Sequence, residues 1–218
     1  MKRLFNVMAV AIALGGVGQV VAASNVDLSV KGSITPAACT PTLSKGGVVD
    51  HGKISVSDLN PKPHLGTILP VATLELMLGC AAPTLVAIKS RDNRAGSSPE
   101  SQHPSMNSNF GLGFVNGDKK VGWYLLKMSH AQSDGVVHSL IESPDGITWF
   151  NADPADQVWQ PGWLRTVASA SGGVALPVSI QNMTANIHIE TSILSRVQLP
   201  QDQEIPIDGS ATLDIVYL

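Results

Sequence analysis

An all-β fold, a sandwich or barrel of short strands, is what this 218-residue sequence predicts. Three observations carry that expectation. Apolar and polar residues alternate with a period of two in several separate segments, the mark of half-buried strands. Asn-Gly and Asp-Gly dipeptides, which supply the positive backbone angles of tight turns, lie between or beside them. Beyond residue 23 no window keeps a helical period over ten or more residues.

The chain opens on Lys2 and Arg3, then the uncharged apolar stretch from Leu4 to Val21, then the small residues Ala22 and Ala23. That order is the order of a secretory signal, cleaved after Ala23. The competing reading is a retained anchor, since 4–21 is close to the ~18-residue lower edge for a spanning helix. Gly15, Gly16, Gly18 and Gln19 weaken it as a span, and the small-residue site follows directly. The expectation is therefore a cleaved signal over 1–23. A single β-sandwich domain over 24–218 follows it, exported and without membrane insertion.

Without Lys2 and Arg3, 12 basic residues face 17 acidic ones, a net charge of −5. Nucleic acid wants a basic face, so it is not an expected partner. With 44% hydrophobic and 14% charged residues, there is ample apolar material for a core.

The strands follow in order. Val26, Leu28 and Val30 alternate with Asp27, Ser29 and Lys31. One helical turn is expected near Ser57 to Asn60, stopped by Pro61. Leu74, Leu76 and Leu78 alternate with Glu75 and Met77 and lead into Cys80. The segments Trp123 to Met128 and Val136 to Ile141 flank Asp134-Gly135 and read as a hairpin. A shorter arm follows Asp145-Gly146 through Ile147 to Phe150. Val174, Leu176, Val178 and Ile180 alternate, and Ile187 and Ile189 flank His188. In the last segment Ala211, Leu213, Ile215 and Tyr217 share one face, and Thr212, Asp214 and Val216 the other. Termini fray unless something pairs with them. That last strand is expected inside a sheet, either its own or one completed by a partner.

Two stretches read as excursions from the sandwich. Residues 96–109 are rich in Ser, Pro, Asn and Gly, the composition of an exposed loop. Residues 151–163 carry Trp159 and Trp163 beside Pro161-Gly162. Exposed aromatics anchor partners, so the two tryptophans are a candidate ligand surface. The plainer reading is that they cap one end of the sandwich as core, because large aromatics are mostly buried.

Cys39 and Cys80 are the only cysteines. Outside the cytoplasm two lone cysteines usually pair, which agrees with export. A free thiol or a metal site is the alternative, and no histidine stands at zinc-ligand spacing beside them. No strong catalytic motif is present. The six histidines, His51, His64, His103, His130, His138 and His188, hold no recognised metal-binding spacing. His130 and His138 face each other across the Asp134-Gly135 hairpin in the expected register, and two solvated hairpin histidines explain them without a metal. Residues 111–117 are glycine-rich, but the strand-like 121–128 follows where a phosphate loop needs a helix. No Gly-x-Ser-x-Gly elbow occurs. Neither an enzyme nor a cofactor is expected.

Several segments together resemble a family. Val30 to Cys39 (Val-Lys-Gly-Ser-Ile-Thr-Pro-Ala-Ala-Cys) resembles the first strand of chaperone–usher pilins, and Gly46 to Ile54 their next. Ala72 to Cys80 resembles the strand with the second pilin cysteine. Asp208-Gly209, followed by an alternating strand with penultimate Tyr217, resembles the pilin C-terminal signature. The chain as a whole is most similar to the fimbrial-like proteins grouped as domain of unknown function 1120. Lys89 to Gly96 and Ile205 to Leu218 carry much of that likeness.

The resemblance implies an immunoglobulin-like, pilin-type sandwich that lacks its last strand. A periplasmic chaperone lends the missing strand, and a segment from another fimbrial subunit later replaces it. Main-chain hydrogen bonds at the sheet edge would give affinity and side-chain pockets specificity. By that resemblance Leu213, Ile215 and Tyr217 contact the donated strand, the Leu218 carboxylate lies at the chaperone's docking cleft, and Cys39 and Cys80 tie the first core strands together. Three departures fit an accessory, tip or terminating subunit better than a rod-forming one, and they also fit a self-contained relative that never polymerises. Gly209 sits nearer the end than the family glycine, the segment before Val30 is short for a donor, and the chain is longer than a plain pilin domain. The expected function is an exported fimbrial-like subunit of periplasm and then cell surface or pilus, with adhesion to a surface glycan or receptor as a further role. The alternative is a self-contained secreted carbohydrate- or surface-binding module. An open sheet edge beside Ala211 to Tyr217 favours the first, and a sandwich closed by its own strands favours the second.

Overall fold

The computed structural model describes residues 26–32, 38–99, 108–152, 158–169 and 175–218. The expected signal over 1–23 lies outside them, as do the centres of both excursions, 100–107 and 153–157. The described strands are β1 (Cys39–Leu43), β2 (Thr67–Ile68), β3 (Ala72–Thr84), β4 (Val86–Asp92), β5 (Phe110–Gly111), β6 (Phe114–Val115) and β7 (Lys119–Lys120). They continue with β8 (Gly122–Ser133), β9 (Val136–Val137), β10 (Ser139–Ser143), β11 (Phe150–Ala152), β12 (Leu164–Ala168), β13 (Ile180–Ile193) and β14 (Ala211–Tyr217). Among the described residues there is no α-helix, as the lack of a helical period predicts.

The strands build an all-β sandwich of two open sheets. One runs β1-β3-β13-β8-β5, with β2 also on β13 and β9 on β8. The other runs β11-β10-β12-β4-β14. A ribbon of β6 and β7 stands apart. Leu76, Leu126 and Ile187 of the first sheet and Val86, Ile88, Leu140 and Val167 of the second join one buried cluster.

Alternation explains the central strands. On β3, Leu74, Leu76, Leu78 and Cys80 are buried and Thr73, Glu75, Met77 and Gly79 face out. On β13, Met183, Ala185, Ile187 and Ile189 turn inward. Asp134 and Gly135 join β8 to β9 as a two-residue loop with φ of 50° and 81°, the mirror-image turn that suits the twist of paired strands. The Asp134 carboxylate accepts the Asn182 N–H at 2.8 Å and the Gln181 N–H at 3.2 Å, tying the hairpin to the start of β13. Beyond Asp145-Gly146 the chain returns to pair β10 with β11, but of the expected arm Ile147 to Phe150 only Phe150 lies in that strand. The expected helical turn is a 3-10 turn, Val56–Asp58, whose Ser57 N–H donates to the Ser55 hydroxyl.

Three expected strands differ. Residues 26–32 form no strand, and Val26, Leu28 and Val30 are 94%, 90% and 91% exposed. A period of two becomes a strand only where another strand shares its backbone hydrogen bonds, and 26–32 has none among the described residues. Residues 46–54 are also not a strand. Lys45, Gly46 and Gly47 all have positive φ, which breaks the extended backbone into a 3-10 turn after β1. Of the 174–180 alternation only Ile180 lies in a strand, and Leu176 is exposed. Pro177, without an N–H to give a ladder, makes a single bridge to Ala168. Val174 lies outside the described residues.

Cys39 and Cys80 stand opposite one another in the β1–β3 register and form the disulfide. It ties the edge strand β1 to its neighbour.

Candidate functional site

The two sheets are joined along one side by chain running directly from β3 to β4 across Leu85. Beside that junction lie the outermost strands β1 and β14, each paired on one edge only. β14 pairs with β4 through all seven residues, from Ala211↔Asp92 to Tyr217↔Val86. No described strand pairs with its other edge. The side chains tell the same story. Leu213 and Ile215 point to the core side, yet both are only partly buried, and no β14 residue is fully buried. Inward residues of β3, β8 and β13 are almost wholly covered.

A cleft of about 260 Å³ opens beside the start of β14. Leu213 and Ala211 form one wall, and Leu43 and Val49 belong to the chain around β1 that forms the other. Core side chains of the first sheet, Leu74, Leu126, Ile187 and Ile189, line its floor. Polar groups share the lining about equally with apolar ones: His51 Nε2 lies 3.0 Å from Thr191 Oγ1, and Ser210 and Tyr124 also face the cleft. Tyr124 is stacked on Phe110 with ring centroids 5.2 Å apart. Burial, and then the nearby Asp92 charge, push its phenol above the ordinary value.

Each end of this open side is held by a contact. At one end the Cys39 N–H donates to the Tyr217 hydroxyl at 3.0 Å, so a β14 side chain reaches the first residue of β1. At the other, residues 49–54 lie beside 204–207 around a second, more polar cavity of about 360 Å³.

The start of β14 is fixed by the segment Asp92-Asn93-Arg94. Arg94 grips the Asp208 carboxylate with two hydrogen bonds, Nε to Oδ2 at 2.9 Å and Nη2 to Oδ1 at 2.8 Å. These bonds hold the Asp208 carboxyl below the usual range. Asp92 accepts the Arg94 N–H with one oxygen and the Gly111 N–H with the other. Asn93 Nδ2 donates to the Ser210 and Thr212 hydroxyls. Asp208-Gly209, a tight-turn dipeptide in the sequence, is not a positive-φ turn here. Gly209 is needed for a different reason: a Cβ there would stand 2.9 Å from Leu112 and 3.0 Å from Tyr124.

The structure thus brings together Leu213, Ile215 and Tyr217 on one face, as strand alternation requires, with Leu213 in the cleft wall. The backbone N–H of Leu218 donates to the Leu85 carbonyl at 3.0 Å. It does not bring the tryptophans to the surface together. Trp159 is 0% exposed, its backbone N–H donates to Leu126 O and its indole N–H donates to Trp163 O. Trp163 is partly buried against the core. The capping role is the one the structure gives Trp159, and that side chain is not available to a ligand. The cleft residues His51, Thr191, Tyr124 and Leu112 escape a sequence reading, since none belongs to a motif and only the fold assembles them. Among the described residues no group of three or more His, Cys, Asp or Glu side chains gathers to hold a metal.

Residues 28–125 match the model of a family described as protein of unknown function (DUF1120). The match runs from the exposed 26–32 segment into β8 and leaves β14 outside it. The chain is also similar to Protein GltF of Escherichia coli (strain K12), 27% identical over 89% of this chain and 89% of that protein. Uncharacterized protein YhcF of the same organism is 25% identical over 90% of this chain and 92% of its own length.

Proposed function

We propose that this chain is an exported, fimbrial-like interaction subunit that takes a β-strand from a partner into the open side between β1 and β14. The first partner is a periplasmic chaperone and the second is another subunit at the cell surface or in a pilus. The observation that carries the reading is β14 itself, a seven-residue strand with no described strand on its other edge, with Leu213 and Ile215 half-covered and with Leu213 in the wall of the cleft. A strand added there gains main-chain hydrogen bonds from β14, and its alternate side chains cover Leu43, Leu213 and Ile215.

In this scheme the Leu218 carboxylate meets a basic group of the chaperone. No catalytic step belongs to the proposal. The self-contained glycan-binding alternative loses Trp159 to the core and keeps the partly buried Trp163.

The test is production of residues 1–218 with and without a chaperone of this class, followed by analysis of the exported product. The proposal expects a one-to-one complex and poor recovery of free monomer. Tyr217→Asp places a charge against β1 and the incoming strand, and it is expected to cut capture at least tenfold. A monomer that refolds reversibly without a partner, or capture unchanged by Tyr217→Asp, counts against it.

A further inference from the structure

A second cluster lies away from the cleft, where β8 crosses β13. The register there passes from Thr184↔Gln132 to Asn186↔Ser129, so His130 and Ala131 together stand opposite Ala185. This is a β-bulge, a device that re-aims a side chain. His130 sits in it with φ of +52°, a conformation uncommon for any residue with a side chain. Simple alternation would send Ser129 and His130 to opposite faces. Instead His130 Nδ1 lies 2.9 Å from Ser129 Oγ. His188, on the neighbouring strand, brings Nε2 to within 2.7 Å of the same oxygen. Its other nitrogen, Nδ1, lies 3.1 Å from Thr73 Oγ1 on β3.

Two imidazole nitrogens therefore converge on one hydroxyl. Metal–ligand bonds of about 2.0–2.1 Å meeting at a right angle place their donor atoms about 2.9 Å apart. These two contacts are hydrogen bonds, and a bound cation would replace them with little change in the N···O separations. Right-angled sets of nitrogen and oxygen donors suit Cu²⁺, which also binds such sites most tightly among the divalent first-row metals. The Thr73 contact is the outer hydrogen bond that orients a ligating histidine: when Nδ1 donates to Thr73, Nε2 carries the free lone pair. His130 is exposed and His188 partly so, leaving a solvent path to both rings. The neighbouring Lys127 ammonium is paired with Glu190 at 2.8 Å, so its charge is compensated.

We propose that His130 Nδ1, His188 Nε2 and Ser129 Oγ form a Cu²⁺ site, with water in the remaining positions. It is independent of the strand-accepting cleft. Binding joins three neighbouring strands, because the ligands stand on β8 and β13 and Thr73 on β3.

The experiment is a Cu²⁺ titration of the untagged exported chain followed by electron paramagnetic resonance. One equivalent is expected to bind with the hyperfine pattern of two imidazole nitrogens. His130→Asn, which keeps a residue tolerant of positive φ, and His188→Asn are each expected to weaken binding more than tenfold. His64→Asn and His138→Asn should leave it unchanged. Circular dichroism of each variant separates lost fold from lost ligand. In the parent protein, substoichiometric Cu²⁺ should broaden the amide resonances of Ser129, His130 and His188 first. Earlier broadening elsewhere, or parent-like binding by a folded His130→Asn or His188→Asn variant, overturns the proposal.

Discussion

The two sides of the sandwich are finished in different ways. On one side the chain spans the gap between the sheets. Val158 bridges to Lys127 of β8, Trp159 fills the space beneath, and Trp163 leads into β12. The Arg165 guanidinium lies 5.5 Å from the Trp159 ring and 3.0 Å from the Glu142 carboxylate, in almost complete burial. On the other side β1 and β14 face one another without such a span. Their described contacts are the Tyr217 hydroxyl at one end and the meeting of 49–54 with 204–207 at the other. Both sides carry alternating apolar residues. Only the spanned side buries them fully, so apolar alternation creates a core only where chain is available to cover it.

The comparison can be broken on the spanned side first. Arg165→Ala leaves the Glu142 charge buried without its guanidinium, at a cost of about 3–5 kcal/mol, read from urea unfolding. Desolvation lowers the Arg165 pKa against the opposing pull of Glu142. Cys39→Ser removes the covalent tie between β1 and β3 and is expected to cost roughly 2–4 kcal/mol and to lower recovery of folded protein sharply. Equal recovery of mutant and parent removes the disulfide from the account.

On the open side the expected effects on stability are smaller. Leu213→Ala removes a half-covered side chain and should cost about 1 kcal/mol in the free protein. Under the proposed strand addition its loss should weaken partner capture far more, because the added strand would complete its burial. A fully buried counterpart such as Leu76→Ala is expected to cost about 2–5 kcal/mol in the same unfolding assay. Equal losses for Leu213 and Leu76 would mean that the two sides are equally closed.

The smallest effect is electrostatic and local. The backbone N–H groups of Thr148 and then Ile147, with the Ser143 hydroxyl, hold the Asp145 carboxyl down to about 2 from an ordinary 3.8. The folded state therefore releases this proton more readily than the unfolded state. Its contribution is present above the ordinary value and is lost as pH falls from about 4 towards 2. Asp145→Asn should flatten that part of the stability profile, measured by thermal unfolding across pH, with little change at pH 7.

The central strands were legible because their signal is local. Leu74, Leu76 and Leu78, or Ile187 and Ile189, show in five residues which face is inward. The Asp134-Gly135 turn was legible for the same reason, but of the expected second arm only Val136 and Val137 pair back on β8, while Ser139 to Ile141 pass to the other sheet. The exposed 26–32 segment shows the limit, since its alternation is as clean as that of β3 but no described strand pairs with it. The break at 45–47 was hidden by the apolar Val48 and Val49 that follow. The burial of Arg165 could not be read from Leu-Arg-Thr-Val-Ala, because Glu142 and Trp159 reach it only through the sheet. Of the candidate site, β14 and its faces were visible, whereas the cleft floor and the His51–Thr191 pair come from strands distant in sequence.

The central claim is that β14 has an edge waiting for another strand. Amide hydrogen exchange over residues 211–217, set against 122–133, measures it most directly. In the free chain, the β14 amides that point away from β4 should exchange fast while β8 is protected, and under the proposed strand addition a bound chaperone should slow them to the rate of β8. Protection of all of 211–217 in the free chain, equal to that of 122–133, would contradict the account.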